Sequence, residues 1–274
     1  MRLYIFFFLS LAPTALAAPF SGWCADPSRA AWPICDQTAS LEDRAADIVS
    51  RLTLKDKISL TSNDASAPSI QLPKWNWWNE GTHGVWNNVG PPWPCETNPC
   101  DGPITVFALP ITTSCSFNRS MWEATGNQIG RESRAIWNSK GDVRGGTYWT
   151  PVVNIVRDPR WGRILECAGE DPFTSGEYAR HFVTGLQTAR ETPFPLQASA
   201  CCKHFVANEY ENVRMSVDTF VPQQDLVDSY LPSFQTCVEE GKASGIMCSV
   251  RRVFVCVFAP PLPHPPPPTQ TLAV

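Results

Sequence analysis

Three stretches of the sequence concentrate groups suited to gripping a neutral, hydroxyl-rich ligand. Residues 74–85 read KWNWWNEGTHGV, placing three tryptophans beside Glu80 and His83, with glycines at 81 and 84. Residues 147–173 read TYWTPVVNIVRDPRWGRILECAGEDPF. The part up to Val156 has no charge. Arg157, Asp158, Arg160, Arg163, Glu166, Glu170 and Asp171 then follow in quick succession. The third stretch, CCKHFV, sets Lys203 and His204 at the end of an apolar run. Lysine and arginine donate hydrogen bonds to hydroxyls and glutamate accepts them. Tryptophan offers a flat apolar face. The charges of the second stretch also fit a surface loop held by arginine–carboxylate pairs, and the tryptophans fit an aromatic core strand followed by a turn.

The elements around these residues set where they stand. An apolar run over 147–156 reads as a strand buried on both faces, as in a parallel sheet. A buried strand that opens into a charged loop is where α/β folds place ligands, at the carboxyl ends of strands. Upstream, residues 41–59 read as helix capped by Ser40, with a break near Leu52 where Thr53-Leu54-Lys55-Asp56 resembles a capping box. A short strand is expected over 104–109 and a helix over 118–138. A helix over 172–187 is opened by Asp171 and Pro172. Then come a strand over 200–206, a helix over 223–242 and a strand over 245–249. This alternation predicts an α/β fold with a parallel sheet and crossover helices.

Composition narrows the class. A net charge of −4 over 274 residues gives no reason to expect nucleic acid or an anionic membrane as partner. No phosphate loop or dinucleotide fingerprint is present. Residues 1–17 read as a signal peptide, with Arg2, an apolar run and Ala15-Leu16-Ala17 as the cleavage pattern, and the product is expected to be secreted. The apolar run is too short to span a bilayer. In an oxidising compartment the 11 cysteines favour disulfides over metal. Cys24 with Cys35, and Cys95 with Cys100, are near enough in sequence to close small loops within and beyond an arm over 18–40. Adjacent Cys201 and Cys202 point to opposite faces of a strand and so are poorly placed to ligate one ion; neither metal nor cofactor is expected. Asn118-Arg119-Ser120 is the glycosylation sequon.

RDPRWGR followed by GEDPF, the WWNE…HGV pattern and KHF together resemble family 3 glycoside hydrolases, most closely the fungal and plant branch that acts as β-xylosidases. The resemblance implies a parallel (β/α) barrel of TIM type, here incomplete, with 41–249 covering about the first four to five β/α units of the ~250 residues a whole barrel typically needs. It implies that Glu80, Arg163, Lys203 and His204 hold sugar hydroxyls, with Tyr148, Arg214 and Trp78 as weaker candidates. Gly81 and Thr82 depart from the alanine and leucine usual there. The implied activity is exo-acting, retaining removal of β-D-xylose from xylooligosaccharides; β-glucosidase, α-L-arabinofuranosidase and non-catalytic sugar-binding readings stand beside it. The implied glutamate, longer than the aspartate of related glucosidases, leaves less room for a hydroxymethyl group and favours a pentose. Retention needs two carboxylates about 5 Å apart. In the family the nucleophilic aspartate lies beyond the MCS motif and the acid/base comes from a second domain, so no catalytic residue is assigned in this chain. The chain alone is expected to be inactive and prone to aggregate through open sheet edges. Residues 250–274, rich in proline, read as an irregular, disordered tail. Oligomeric state is left open.

Overall fold

A computed structural model describes residues 23–87, 104–140, 146–188, 196–249 and 252–256. The expected signal peptide over 1–17, the Cys95–Cys100 loop and the proline run past residue 256 lie outside the described residues. The described residues form two compact units, one made of 23–77 with 135–140, the other of 78–87, 104–134, 146–188, 196–249 and 252–256.

In the first unit, helix α1 (Leu41–Arg51) starts where Ser40 accepts the Asp43 amide proton at 3.0 Å. It stops at Leu52, and α2 (Leu54–Ser59) begins with the expected capping box between Thr53 and Asp56. Strands β1 (Ala65–Ala67) and β2 (Leu72–Trp75) pair antiparallel. Trp23, Ala67 and Ile70 form the buried centre, with Ile48, Leu52, Leu60 and the Cys24–Cys35 disulfide packed against it. The expected small cysteine-closed loop is therefore present, and it sits against this core.

The second unit carries a five-stranded sheet. Strands β3 (Asn79–Glu80) and β4 (Trp86–Asn87) form a small antiparallel edge. Helices α3 (Pro110–Ser114) and α4 (Arg119–Lys140, in this unit up to Arg134) follow, then β5 (Thr147–Tyr148), α5 (Pro172–Gln187) and β6 (Ser199–Phe205). Strand β7 (Asp218–Pro222) precedes a short α6 (Gln223–Asp225), a π turn over Leu226–Tyr230 and α7 (Pro232–Glu239). Strands β8 (Gly245–Cys248) and β9 (Arg252–Cys256) close the described chain. The sheet order is β4-β3-β5-β6-β8, and β3, β5, β6 and β8 run parallel. The α/β class and the parallel sheet are as the sequence predicts.

Four element expectations are corrected. Residues 104–109 form no strand; Phe107 instead donates its amide proton to the His83 carbonyl at 2.8 Å. The strand expected over 147–156 is regular only at Thr147–Tyr148. Pro151 has no N–H to continue the ladder. Pairing survives as single contacts, with the amide of Val153 donating to the Lys203 carbonyl at 2.9 Å and that of Lys203 to the Pro151 carbonyl at 3.1 Å. The helix expected over 223–242 is split before Pro232, whose missing N–H ends regular α pairing, and the Leu231 amide reaches back five residues to Leu226. Finally, residues 252–256 are not irregular: they form β9, parallel to β7. Val253, Phe254 and Val255 are β-branched or aromatic, and that propensity outweighs the nearby prolines.

Helix α5 supports the sheet. Asp171 caps it, accepting from the amides of Phe173 at 3.1 Å and Thr174 at 2.7 Å, with Pro172 in its first turn. Its inner face buries Tyr178, Ala179, Phe182, Val183 and Leu186. Cys202 of β6 pairs with Cys237 of α7 while Cys201 stays buried and unbridged, the opposite facing that strand alternation requires. Burial pushes the Asp171 carboxyl up, but the hydrogen bonds from Thr174 and Phe173 bring it to a net value below the usual carboxylate range. Its contribution is therefore whole above about pH 4 and is lost as pH falls through the depressed native value. Asp171→Ala is expected to cost about 1 kcal/mol in urea melts at neutral pH. The gap to wild type should shrink in acid, and equal midpoints at pH 7 would rule out the cap.

Candidate sugar site

Glu80 ends β3 and Lys203 lies late in β6, with β5 between them. Two strand spacings separate their backbones by roughly 10 Å. The lysine stem closes most of that gap, and its Nζ lies 2.5 Å from Glu80 Oε2. Lys203 is only 2% exposed, whereas the Glu80 side chain keeps 25% of its surface open. Burial lowers the lysine's pKa, and the facing Glu80 carboxylate partly restores it. The pair thus presents one accessible carboxylate whose charge is held by a cation beneath it.

Arg163 approaches from the loop after residues 152–156, at the start of a short 3-10 turn over Ile164–Glu166. Its Nε and Nη2 donate to the two oxygens of Glu166 at 2.7 Å each, and its Nη1 lies 3.1 Å from His204 Nε2. The Glu166 bonds raise the guanidinium pKa, against the pull of burial. Bidentate pairing of this kind fixes the guanidinium plane as well as its charge. Glu166 clamps the arginine and also faces the cavity.

A cavity of about 580 Å³ opens over these groups, lined by Glu80, Thr82, His83, Gly84, Leu109, Gly162, Arg163, Leu165, Glu166 and Lys203. Volumes of this order suit a small ligand. Glu80, Arg163 and Lys203, from three separate stretches, therefore meet on one cavity. His204 stands behind Arg163 and is 6% exposed. Tyr148 is buried under the floor, near Gly81, where an added methyl would sit 3.2 Å from its ring. Arg214 pairs with Glu211 at 2.7 Å, and Trp78 is half exposed; neither is among the described lining residues. Thr82, Gly84, Leu109, Gly162 and Leu165 were not expected as lining residues, and His83 was noted beside Glu80 without being assigned to the ligand. For His83 the signal was present in its spacing from Glu80. Its Nδ1 contacts the Phe107 carbonyl at 3.1 Å, which makes Nδ1 the donor. Among the described residues no cluster of His, Cys, Asp and Glu could hold a metal ion, and no helix is long and apolar enough to cross a membrane.

The family model described as "Glycosyl hydrolase family 3 N terminal domain" matches residues 102–253, more than half of the sequence, and the chain belongs to this family. Among curated relatives, "Beta-xylosidase/alpha-L-arabinofuranosidase 1" of Medicago sativa subsp. varia is 42% identical over 225 residues, covering 80% of this chain and 28% of that protein. "Beta-D-xylosidase 1" of Arabidopsis thaliana is 42% identical over 226 residues, with the same coverage. The chain thus spans under a third of the length of these relatives. Among solved structures, a GH3 exo-beta-xylosidase (XlnD) in complex with a xylobiose aziridine probe superposes with a TM-score of 0.75 at 29% identity, over 84% of this chain and 30% of that one. Beta-glucosidase 3B from Thermotoga neapolitana, in complex with alpha-D-glucose, gives 0.62 at 29% identity, over 77% and 30%.

Proposed function

We propose that this chain supplies the sugar-holding part of a secreted, exo-acting, retaining glycoside hydrolase of the β-xylosidase type, whose substrates are xylooligosaccharides. One observation carries the reading: Glu80, Lys203 and Arg163 converge on a single cavity as one acceptor and two donors, the set that neutral hydroxyls require. The parallel strands β3, β5, β6 and β8 are successive staves of a TIM-type barrel in this reading, with the site at their carboxyl ends. The β-xylosidase names of the two plant relatives support a pentose, and α-L-arabinofuranosidase activity is the neighbouring assignment. Among the described lining residues the carboxylates are Glu80 and Glu166, each committed to a cation. We assign both to holding the pocket's cations and the ligand's hydroxyls, and the cavity to binding. The Cys24–Cys35 disulfide fits an oxidising destination. Asn118 is exposed and uses Oδ1 to accept from the Met121 amide at 3.1 Å, which leaves its Nδ2 for a glycan.

Calorimetry of the purified 274-residue polypeptide with xylose and with glucose tests the reading. Xylose is expected to bind and glucose to bind at least about tenfold more weakly, since a hydroxymethyl group must displace its neighbours or leave Glu80 poorly paired. No release of nitrophenol from 4-nitrophenyl β-D-xyloside is expected from this polypeptide. Absence of xylose binding by folded protein overturns the sugar site; rapid turnover overturns the assignment to binding alone.

A further inference from the structure

Arg163 reaches the cavity with three of its five N–H groups already used, two on Glu166 and one on His204 Nε2. A guanidinium has donors only, so Nε2 must offer its lone pair. The opposite ring nitrogen, Nδ1, lies 3.2 Å from Asn154 Oδ1. The neighbours decide which end of that amide is oxygen. Its Nδ2 lies 3.1 Å from the His204 carbonyl and 3.3 Å from Glu209 Oε1, and both of these accept. Its Oδ1 takes the backbone N–H of His204 at 2.8 Å. A flipped amide would set oxygen against two oxygens and a donor against an N–H. Oδ1 therefore faces Nδ1, and Nδ1 carries the proton. One proton on Nδ1 and a lone pair on Nε2 define a neutral imidazole in a single tautomer. Adding a proton at Nε2 would point an N–H at the guanidinium and place two cations side by side.

We propose that Asn154 is a positioning residue: it holds His204 in the neutral Nδ1–H tautomer, so that His204 serves as the acceptor that aims Arg163 into the cavity. This rests on the sugar-binding reading above and deepens it. Asn154 is 2% exposed and His204 6%, and neither is among the described residues that line the cavity, whereas Arg163 is. The logic is geometric. Glu166 sits three residues from Arg163 in the same loop, so their bidentate pair fixes the guanidinium relative to that loop only. The bond to His204 ties it to β6, and Asn154 grips both the backbone and the ring of His204. Lys203, the preceding residue, is held on the same strand, so the two cations keep a constant separation. Two N–H groups of Arg163 remain for a ligand oxygen. A ring in the Nε2–H tautomer would break the Arg163 and the Asn154 contacts together.

Charged groups that bear on the imidazole include Arg163 directly, Glu209 through Asn154, and Glu166, Glu211 and Glu80 through Arg163. Nitrogen-15 NMR of the histidine rings in the 274-residue polypeptide, with His204 assigned by the signals lost in His204→Gln, reads the tautomer without any ligand. The expected wild-type spectrum shows a protonated Nδ1 and an unprotonated Nε2; a protonated Nε2 overturns the proposal outright, with no variant needed. In Asn154→Ala the two tautomers should mix and xylose affinity should fall about tenfold, the worth of one or two hydrogen bonds. An unchanged tautomer in that variant, or unchanged affinity alongside a mixed one, overturns the positioning role. A wild-type protein with the expected tautomer but no affinity for xylose sustains the lock on His204 and overturns the sugar site, so the two failures are told apart.

Discussion

Replacing Glu80 by glutamine is expected to destabilise the second unit more than replacing Lys203 by methionine, although the two changes break the same pair. The asymmetry follows from burial. Lys203→Met leaves a carboxylate that water still reaches, because the Glu80 side chain is 25% exposed. Glu80→Gln leaves a 2% exposed ammonium with Arg163 for a neighbour, and stranding one partner of a buried pair costs about 3 kcal/mol or more. The pH dependence has a definite sign. The native pKa of Lys203 is lowered, chiefly by burial, so between that value and about 10.4 the unfolded chain binds more protons and stability rises with pH. Losing the Glu80 charge lowers the native value further. The deficit of Glu80→Gln should therefore be largest near neutral pH and narrow as pH climbs towards 10. Urea melts of both variants at pH 7 and pH 9.5 decide it. If Lys203→Met is the weaker protein, or if the Glu80→Gln deficit grows with pH, the buried cation is not what the pair protects.

The second large effect lies far from the cavity. Gly185 of α5 packs so closely on α4 that an added Cβ would stand 2.0 Å from the Glu123 carbonyl oxygen and 2.8 Å from the Asn127 nitrogen. The reverse contact is as close: a Cβ at Gly126 would meet the Phe182 carbonyl oxygen at 2.2 Å. These are backbone atoms of regular helices and cannot turn aside as a side chain would. Gly185→Ala is expected to cost about 3 kcal/mol, the upper end for an overpacked contact, because the helices must separate along their length. Gly162→Ala, whose Cβ would meet nothing within 4 Å, is the control expected to leave the thermal midpoint nearly unchanged. A Gly185→Ala midpoint within 2 °C of wild type, against a shift of roughly 6 °C or more for 3 kcal/mol in a protein of this size, would show that the helices yield.

Some of this architecture was legible residue by residue. Asp171-Pro172 announced α5 because a carboxylate before a first-turn proline satisfies free amides and loses none. Thr53 to Asp56 marked the break between α1 and α2 for the same local reason. Where the reading failed, a longer-range cause acted. The run over 147–156 is apolar enough for one strand, yet Pro151 interrupts its ladder and the chain continues by single bonds from Val153 and Pro151 to Lys203 on the neighbouring strand. The strand at 252–256 exists because β7 is there to receive it.

The site divides along the same line. Residue type and local spacing set the three stretches apart, since charges after apolar runs stand out in one dimension, and the resemblance to family 3 glycoside hydrolases singled out Glu80, Arg163, Lys203 and His204 within them. Their shared cavity, the lysine's burial under Glu80, and the set-back places of His204, Tyr148 and Arg214 depend on which strands lie side by side. Asn154 shows the difference most plainly. In sequence it is one polar residue in an apolar run, and its four bonds to His204 and Glu209 join positions 50 to 55 residues away. Local propensity is written into neighbours along the chain, whereas a hydrogen bond between distant strands is decided only when packing brings donor and acceptor within about 3 Å.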